Sequence, residues 1–273
     1  MKFSFTKHSK KFMIVSAAVL LIGLVCGIFM GGFNLGIDFT GGSIITVDLK
    51  QTYEIPDVQT CLSNAGETGF TVFRLDKTGE GTQVQMRIRP QADEASDIAQ
   101  RDAIMAKLHE VYPEAELSNV ERIGAVASAS LIKNALLAVG IAGVLILIYI
   151  SIRFEFHFGV SALLCLLHDV LMMMAFVCIF RVEINSSFIA AVLTIVGYSI
   201  NNTIVVFDRM RENRAALPDL ALDELVDTSL HQTLTRSIYT SLTTLITILA
   251  LYILGPSSIK EFAFPIIVGL LAG

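Results

Sequence analysis

Five apolar runs dominate this sequence: Phe12 to Met30, Leu131 to Ile152, Gly159 to Phe180, Ser187 to Phe207 and Ser237 to Leu254. Each is close to the roughly 20 residues that carry a helix across a bilayer. In hydrocarbon a backbone must satisfy its own N–H and C=O groups, so each run is predicted to be a transmembrane helix. Composition agrees, because 53% hydrophobic residues and a mean hydropathy of +0.66 lie far outside the usual soluble range. A sixth apolar segment begins near Phe262 and is still apolar at Gly273, too short to cross alone. The expected architecture is an α-helical membrane protein of six transmembrane helices, the last truncated.

The first run is longer than the hydrophobic region of a signal peptide and lacks a small-x-small cleavage site after it, so it reads as a retained anchor. Gly23, Leu24 and Val25 before Cys26 do not form a lipidation pattern. Basic residues set the orientation. Lys2, Lys7, Lys10 and Lys11 precede the first helix, Arg153 follows the second, and Arg209, Arg211 and Arg214 follow the fourth. The opposite loops offer only Arg181 and Lys260. Both termini are therefore expected inside, with three parts in order: residues 1–32, the N-terminus and first helix; 33–130, an exterior domain; and 131–273, helices two to six.

The exterior segment is long enough for its own core. Ser43 to Leu49 and Gln83 to Arg89 alternate like strands, and Thr71 to Leu75 and Glu116 to Arg122 add two more. Asp57 to Ala65, after Pro56, and Ala95 to Tyr112 carry helical spacing. The order β-α-β-β-α-β suits a ferredoxin-like α+β sandwich. Its acidic residues outnumber its basic ones, so no nucleic acid is expected as a partner. Three of the four cysteines lie in spans and only Cys61 in the domain, so an internal disulfide framework is not supported.

No G-x-x-x-x-G-K-[ST] loop occurs, so ATP hydrolysis is not expected and the remaining energy source is an ion gradient. Gly41-Gly42-Ser43 lacks the lysine and reads as a turn from membrane into the first strand. Ion coupling acts through polar groups inside the bilayer, and three clusters qualify. His168-Asp169 lies near the middle of the third span, with Ser161 and Cys165 on the same side, and can relay a proton or form a static buried pair. A metal-dependent phosphohydrolase pair would need further ligands that the span does not supply. Asn201, Asn202 and Thr203 interrupt the fourth span, and should face other helices or a water-filled path, either as functional groups or as interhelical glue. Arg236 is followed by Thr240, Thr243 and Thr244 as one stripe, with Arg236 either an interfacial anchor or a functional cation. Asp208, Arg209, Arg211 and Glu212 suit a solvated helix end. The chain is expected to be no enzyme and to need no cofactor or metal.

Five segments carry a resemblance. Gly36-Ile-Asp-Phe-Thr-Gly-Gly42, Arg153-Phe-Glu-Phe156, Leu167-His-Asp-Val170, Gly197-Tyr-Ser-Ile-Asn201 and Val205-Val-Phe-Asp-Arg209 occur in this order across essentially the whole chain. Together they make it resemble the SecF family of protein-export membrane proteins, in the resistance-nodulation-division superfamily. The resemblance implies a bacterial inner-membrane subunit that works with SecD. It assists the SecYEG channel by drawing preproteins outward with the proton-motive force, and membrane lipid surrounds it. It marks Gly36, Asp38, Gly41, Gly42, Gly197, Asp208 and Arg209 as family positions. Alternatives from other classes are a non-transducing scaffold for SecD and the channel, or half of a superfamily exporter of small molecules or lipids.

One departure bears on mechanism. The family's fourth-span motif continues Gly-Tyr-Ser-Ile-Asn-Asp-Thr, with the Asp implicated in proton passage alongside an arginine in the fifth span. Here the Asp position is Asn202, while the arginine matches Arg236 in Gln232-Thr-Leu-Thr-Arg236. An amide hydrogen-bonds in the same volume but does not exchange a proton near neutral pH. Asn202 is then a natural variant whose acid comes from SecD, an engineered substitution mimicking protonated Asp, or a natural form coupled to another ion; the first is the reading taken from the sequence.

Overall fold

The computed structural model describes residues 3–67, 70–75, 81–91, 94–255 and 257–273, with the backbone only at 94, 125, 257 and 258. Lys2, counted above in the basic flank, lies outside them. In chain order the elements are α1 (Phe5–Phe29), α2 (Ile37–Thr40), β1 (Gly42–Asp48), α3 (Ile55–Asn64), β2 (Thr71–Arg74), β3 (Gln83–Ile88), α4 (Glu94–Val111) and β4 (Glu116–Ile123). Then follow α5 (Ala125–Arg153), α6 (Phe156–Ile179), α7 (Ser186–Ala216), α8 (Leu222–Leu254) and α9 (Ser257–Ala272). Among the described residues, α1, α5, α6, α7 and α8 are long and apolar enough to cross a membrane. At 16 residues, α9 is shorter. The chain divides into two compact units, Leu35–Asn134 and Met1–Asn34 with Ala135–Gly273.

In the smaller unit the strands alternate with helices as their periodicity requires. The sheet order is β2-β3-β1-β4, and every pairing is antiparallel, with Ile45 opposite Met86 and Val47 opposite Val84. Pro56 sits in the first turn of α3, where its missing N–H costs nothing. The inward strand residues Ile45, Val47, Val84 and Met86 meet Val58 and Leu62 of α3 and Ile104 and Leu108 of α4, all fully buried. The short helix α2 was not apparent in the sequence, since one turn leaves no periodicity to detect. It ends at Gly41 (φ 72°) and Gly42 (φ 127°). A Cβ on Gly42 would stand 2.5 Å from the Ile88 carbonyl oxygen, so the backbone approach there admits only glycine.

In the larger unit α1 crosses α6 with Gly23 directly on the Ala175 backbone, a small-residue contact of the kind that lets membrane helices approach closely. The end of α5 packs through Ile150 and Phe154 onto Ala162 of α6, and Phe154, Phe158 and Phe207 form an aromatic cluster with centroids 4.8–6.1 Å apart. α9 packs against α6, α7 and α8.

Helices α7 and α8 outrun the apolar segments that announced them. Their polar ends satisfy each other: Asn213 donates to Ser229 Oγ and Gln232 Oε1, each at 2.9 Å. The start of α1 joins this arrangement, with Ser4 Oγ and the Thr6 N–H donating to the Asp227 carboxylate at 2.5 and 3.0 Å. A hydropathy count stops at the last apolar residue and cannot see helix held by such pairs.

Candidate functional site

Asp169 is a carboxylate inside a largely apolar helix, and it is 5% exposed. A buried carboxylate needs partners, and among the described residues it has two. The Ser199 hydroxyl of α7 donates to its Oδ2 at 2.5 Å, and His168 Nδ1 stands 3.0 Å from its Oδ1. Ser199 is itself buried. Asn202 and Thr203 follow Ser199 by three and four residues, so helical geometry lays all three on one face. The Thr203 hydroxyl donates to the Ser199 carbonyl at 3.1 Å, which fixes its orientation along the helix.

These groups surround a cavity of about 400 Å³ bounded by His168, Asp169, Ser199, Asn202, Thr203 and Gly273. The last residues of α9 close one side: a Cβ on Gly273 would lie 2.8 Å from Asp169 Oδ2. A second cavity, of about 490 Å³, lies between α7, α8 and α9 and is lined by Thr233, Ser237 and Ser241 among apolar groups. Asn202 and Thr203 line both. Among the described residues the arrangement offers one carboxyl, one imidazole and the Cys165 thiol as proton-bearing groups, flanked by hydroxyls and an amide that can only orient water. No group of three His, Cys, Asp or Glu able to hold a metal ion occurs among the described residues.

The remaining sequence candidates are placed elsewhere. Asn201 is exposed, so the expectation that it faces another helix fails within this chain, because adjacent residues on a helix point about 100° apart and Asn202 takes the inward direction. Arg236 is exposed and lines neither cavity; the structure does not bring it to Asn202. The threonine stripe after Arg236 folds back on its own helix, with Thr240, Thr243 and Thr244 donating to carbonyls four residues earlier at 3.0 Å. Its hydroxyls are thereby satisfied without a path. Ser161 likewise donates to the His157 carbonyl and is exposed, whereas Cys165, also exposed, borders the first cavity beside His168.

Of the family positions, Asp208 pairs with Arg153 at 3.4 Å and Arg211 at 3.5 Å, and Arg209 with Glu212 at 3.0 Å. Such exposed pairs contribute little to stability. Gly197 is exposed with open space where a Cβ would be. Gly36 precedes α2, Asp38 lies in its first turn, and Gly41 and Gly42 end it, all in the smaller unit. Ser199 was missed in the sequence, although its spacing to Asn202 and Thr203 marked it. The Tyr198 hydroxyl, 3.0 Å from Ser241 Oγ, was missed as well; no pattern in the sequence announces a pair so far apart.

Comparison with known proteins follows the same motifs. Residues 103–273 match the family described as protein export membrane protein SecD/SecF, C-terminal, and residues 27–52 match the SecD/SecF GG motif, which contains the Gly41-Gly42 turn. The chain is 40% identical over 273 residues to the protein translocase subunit SecF of Acidaminococcus fermentans, covering 100% of this chain and 92% of that one. It is 37% identical to SecF of Sebaldella termitidis, covering 98% and 85%. A crystal structure of SecDF, a translocon-associated membrane protein from Thermus thermophilus, superposes with a TM-score of 0.82 at 35% identity, over all of this chain but 36% of that one. By these matches, together with five membrane-length helices and a small antiparallel sheet, the chain belongs to the SecF members of the SecD/SecF family of protein-export membrane proteins.

Proposed function

We propose that this chain is an accessory subunit of the Sec preprotein translocase that works with SecD and uses the proton-motive force to promote late steps of export through SecYEG. The carrying observation is Asp169, a proton-exchanging group buried among helices beside a polar cavity. A buried ionisable residue at membrane depth is costly and is by default functional. The chain spans about a third of the fused SecDF relative, which supports SecD-like spans beside it. The exposed Asn201 supports this, because a polar amide in the middle of a span favours a covering helix over lipid. The same partner accounts for Arg236 facing outward.

In this reading the protein is a multi-pass subunit of the bacterial inner membrane with six spans and its N-terminus inside. The domain after the first span faces the periplasm, and its β4-β1-β3-β2 order supports a ferredoxin-like fold. The chain is not an enzyme and takes no cofactor. Proton uptake shifts a two-state equilibrium only by its differential affinity for the two states. One charge crossing 100 mV supplies about 2.3 kcal/mol, roughly a fiftyfold bias, which is ample to favour one discrete orientation of the domain over another.

The test is export of a preprotein in vesicles lacking this chain and then supplied with it. Restoration is expected from wild type and not from a chain in which Asp169, Ser199, Asn202 and Thr203 are all replaced by apolar residues. Equal restoration would favour the scaffold, and transport of a small solute by the purified pair would favour the exporter.

A further inference from the structure

We infer that Asp169 is the carboxylate of this subunit that takes up and releases the moving proton, and that the amide of Asn202 separates its cavity from the second one. The inference rests on the proposed coupling and deepens it by naming the group. An acid is absent at 202, yet the same cavity holds an acid from α6. The elements packed on α6 bring few other candidates. From α6 itself come His168 and the Cys165 thiol, one turn before Asp169 and on the same cavity, from α7 the Ser199 hydroxyl, and from α9 the Gly273 backbone. The meeting with α1 is the apolar Gly23–Ala175 crossing. Lys260 and Glu261 sit at the far end of α9, and Asp208 and Arg209 lie more than two turns along α7 from Ser199. The charges of those helices are therefore spent at their ends.

The step balances in protons. Ionised Asp169 accepts the Ser199 O–H. A proton from water in the first cavity, which has room for on the order of ten molecules, adds to a carboxylate oxygen and leaves the carboxyl neutral. The new O–H must then donate, so the Ser199 hydroxyl turns from donor to acceptor and swings its own hydrogen away. Release returns the proton to water on the side of the second cavity and restores the Ser199 donor. Asn202 and Thr203, which border both cavities, order water between them and stay neutral throughout. One proton enters and one leaves.

The experiment reconstitutes the full chain with its SecD partner and records infrared difference spectra on acidification, alongside gradient-driven preprotein export. A protonated-carboxyl C=O band is expected in wild type, lost in Asp169→Asn and shifted in frequency in Ser199→Ala, which keeps the acid and alters only its partner. Asn202→Asp introduced into Asp169→Asn is expected to return both a carboxyl band and gradient-driven export. A band that persists in Asp169→Asn, or that does not move in Ser199→Ala, overturns the assignment. So does full gradient dependence in Asp169→Asn. A band that behaves as stated while wild-type export ignores the gradient keeps the proton site and refutes the translocase coupling.

Discussion

A methyl group on Gly23 is a small change with a large expected effect. In Gly23→Ala the new Cβ would lie 2.5 Å from Ala175 Cβ, 2.8 Å from its Cα and 3.3 Å from its carbonyl oxygen. Carbon atoms rest about 3.5–4.0 Å apart, so α1 and α6 must separate by about 1 Å or more. No rotamer relieves a clash with a Cα. Overpacking of this kind costs about 1–3 kcal/mol, which is roughly a 5- to 150-fold loss of the closely packed state. Gly27, one turn along, supplies a reporter. A Cβ there would stand 3.2 Å from Cys178 Sγ, within reach of disulfide geometry. In a chain lacking the other cysteines, Gly27→Cys is expected to oxidise readily with Cys178 in membranes, and adding Gly23→Ala is expected to slow closure several-fold or more. Closure at an unchanged rate in the double variant would refute the overpacking argument, and no closure in Gly27→Cys alone would refute the helix crossing itself.

Two further predictions concern the smaller unit. Asp97 is 8% exposed, accepts from Ser43 Oγ at 3.0 and 3.1 Å and pairs with Arg122 Nε at 3.2 Å, joining α4 to β1 and β4. Asp97→Ala leaves the buried Ser43 hydroxyl without its acceptor and should cost about 1–3 kcal/mol, seen as a lower Tm; an unchanged Tm would show the network to be dispensable. The Asp48 carboxyl is held below the usual carboxylate range by the Thr82 side chain and then by the Lys50 backbone N–H. A depressed carboxylate contributes stability that is present above its unfolded value of about 3.9 and lost as pH falls through the lower folded value. Asp48→Asn should therefore flatten the acid limb of the unfolding profile below that pH, and an identical limb in wild type and variant would remove Asp48 from the cause.

How much of this was available before the structure depends on the physics behind each signal. Period-two alternation at Gln83 to Ile88 and the long apolar runs are forced by burial against a core or lipid, so strands and spans could be placed directly. The polar halves of α7 and α8 could not, because Asn213, Ser229 and Gln232 stabilise helix through partners far apart in sequence. The same limit applied at the cavity. Asp169 and Asn202 were visible as polar residues in apolar segments, and spacing put Ser199 on the face of Asn202, but only packing revealed that this face meets Asp169. Arg236 and its threonines shared a face on paper, and the structure turned the arginine outward and closed the hydroxyls onto their own backbone. Helical spacing says which residues align, not what stands opposite.

The most direct test of the central claim is the rate at which a trapped preprotein completes its export from vesicles restored with this chain and SecD, with an imposed proton gradient and again after a protonophore collapses it. The expected result is faster completion that disappears with the gradient and disappears equally in Asp169→Asn with the gradient intact. Equal rates with and without the gradient would contradict proton coupling and leave the chain a structural partner of the translocase.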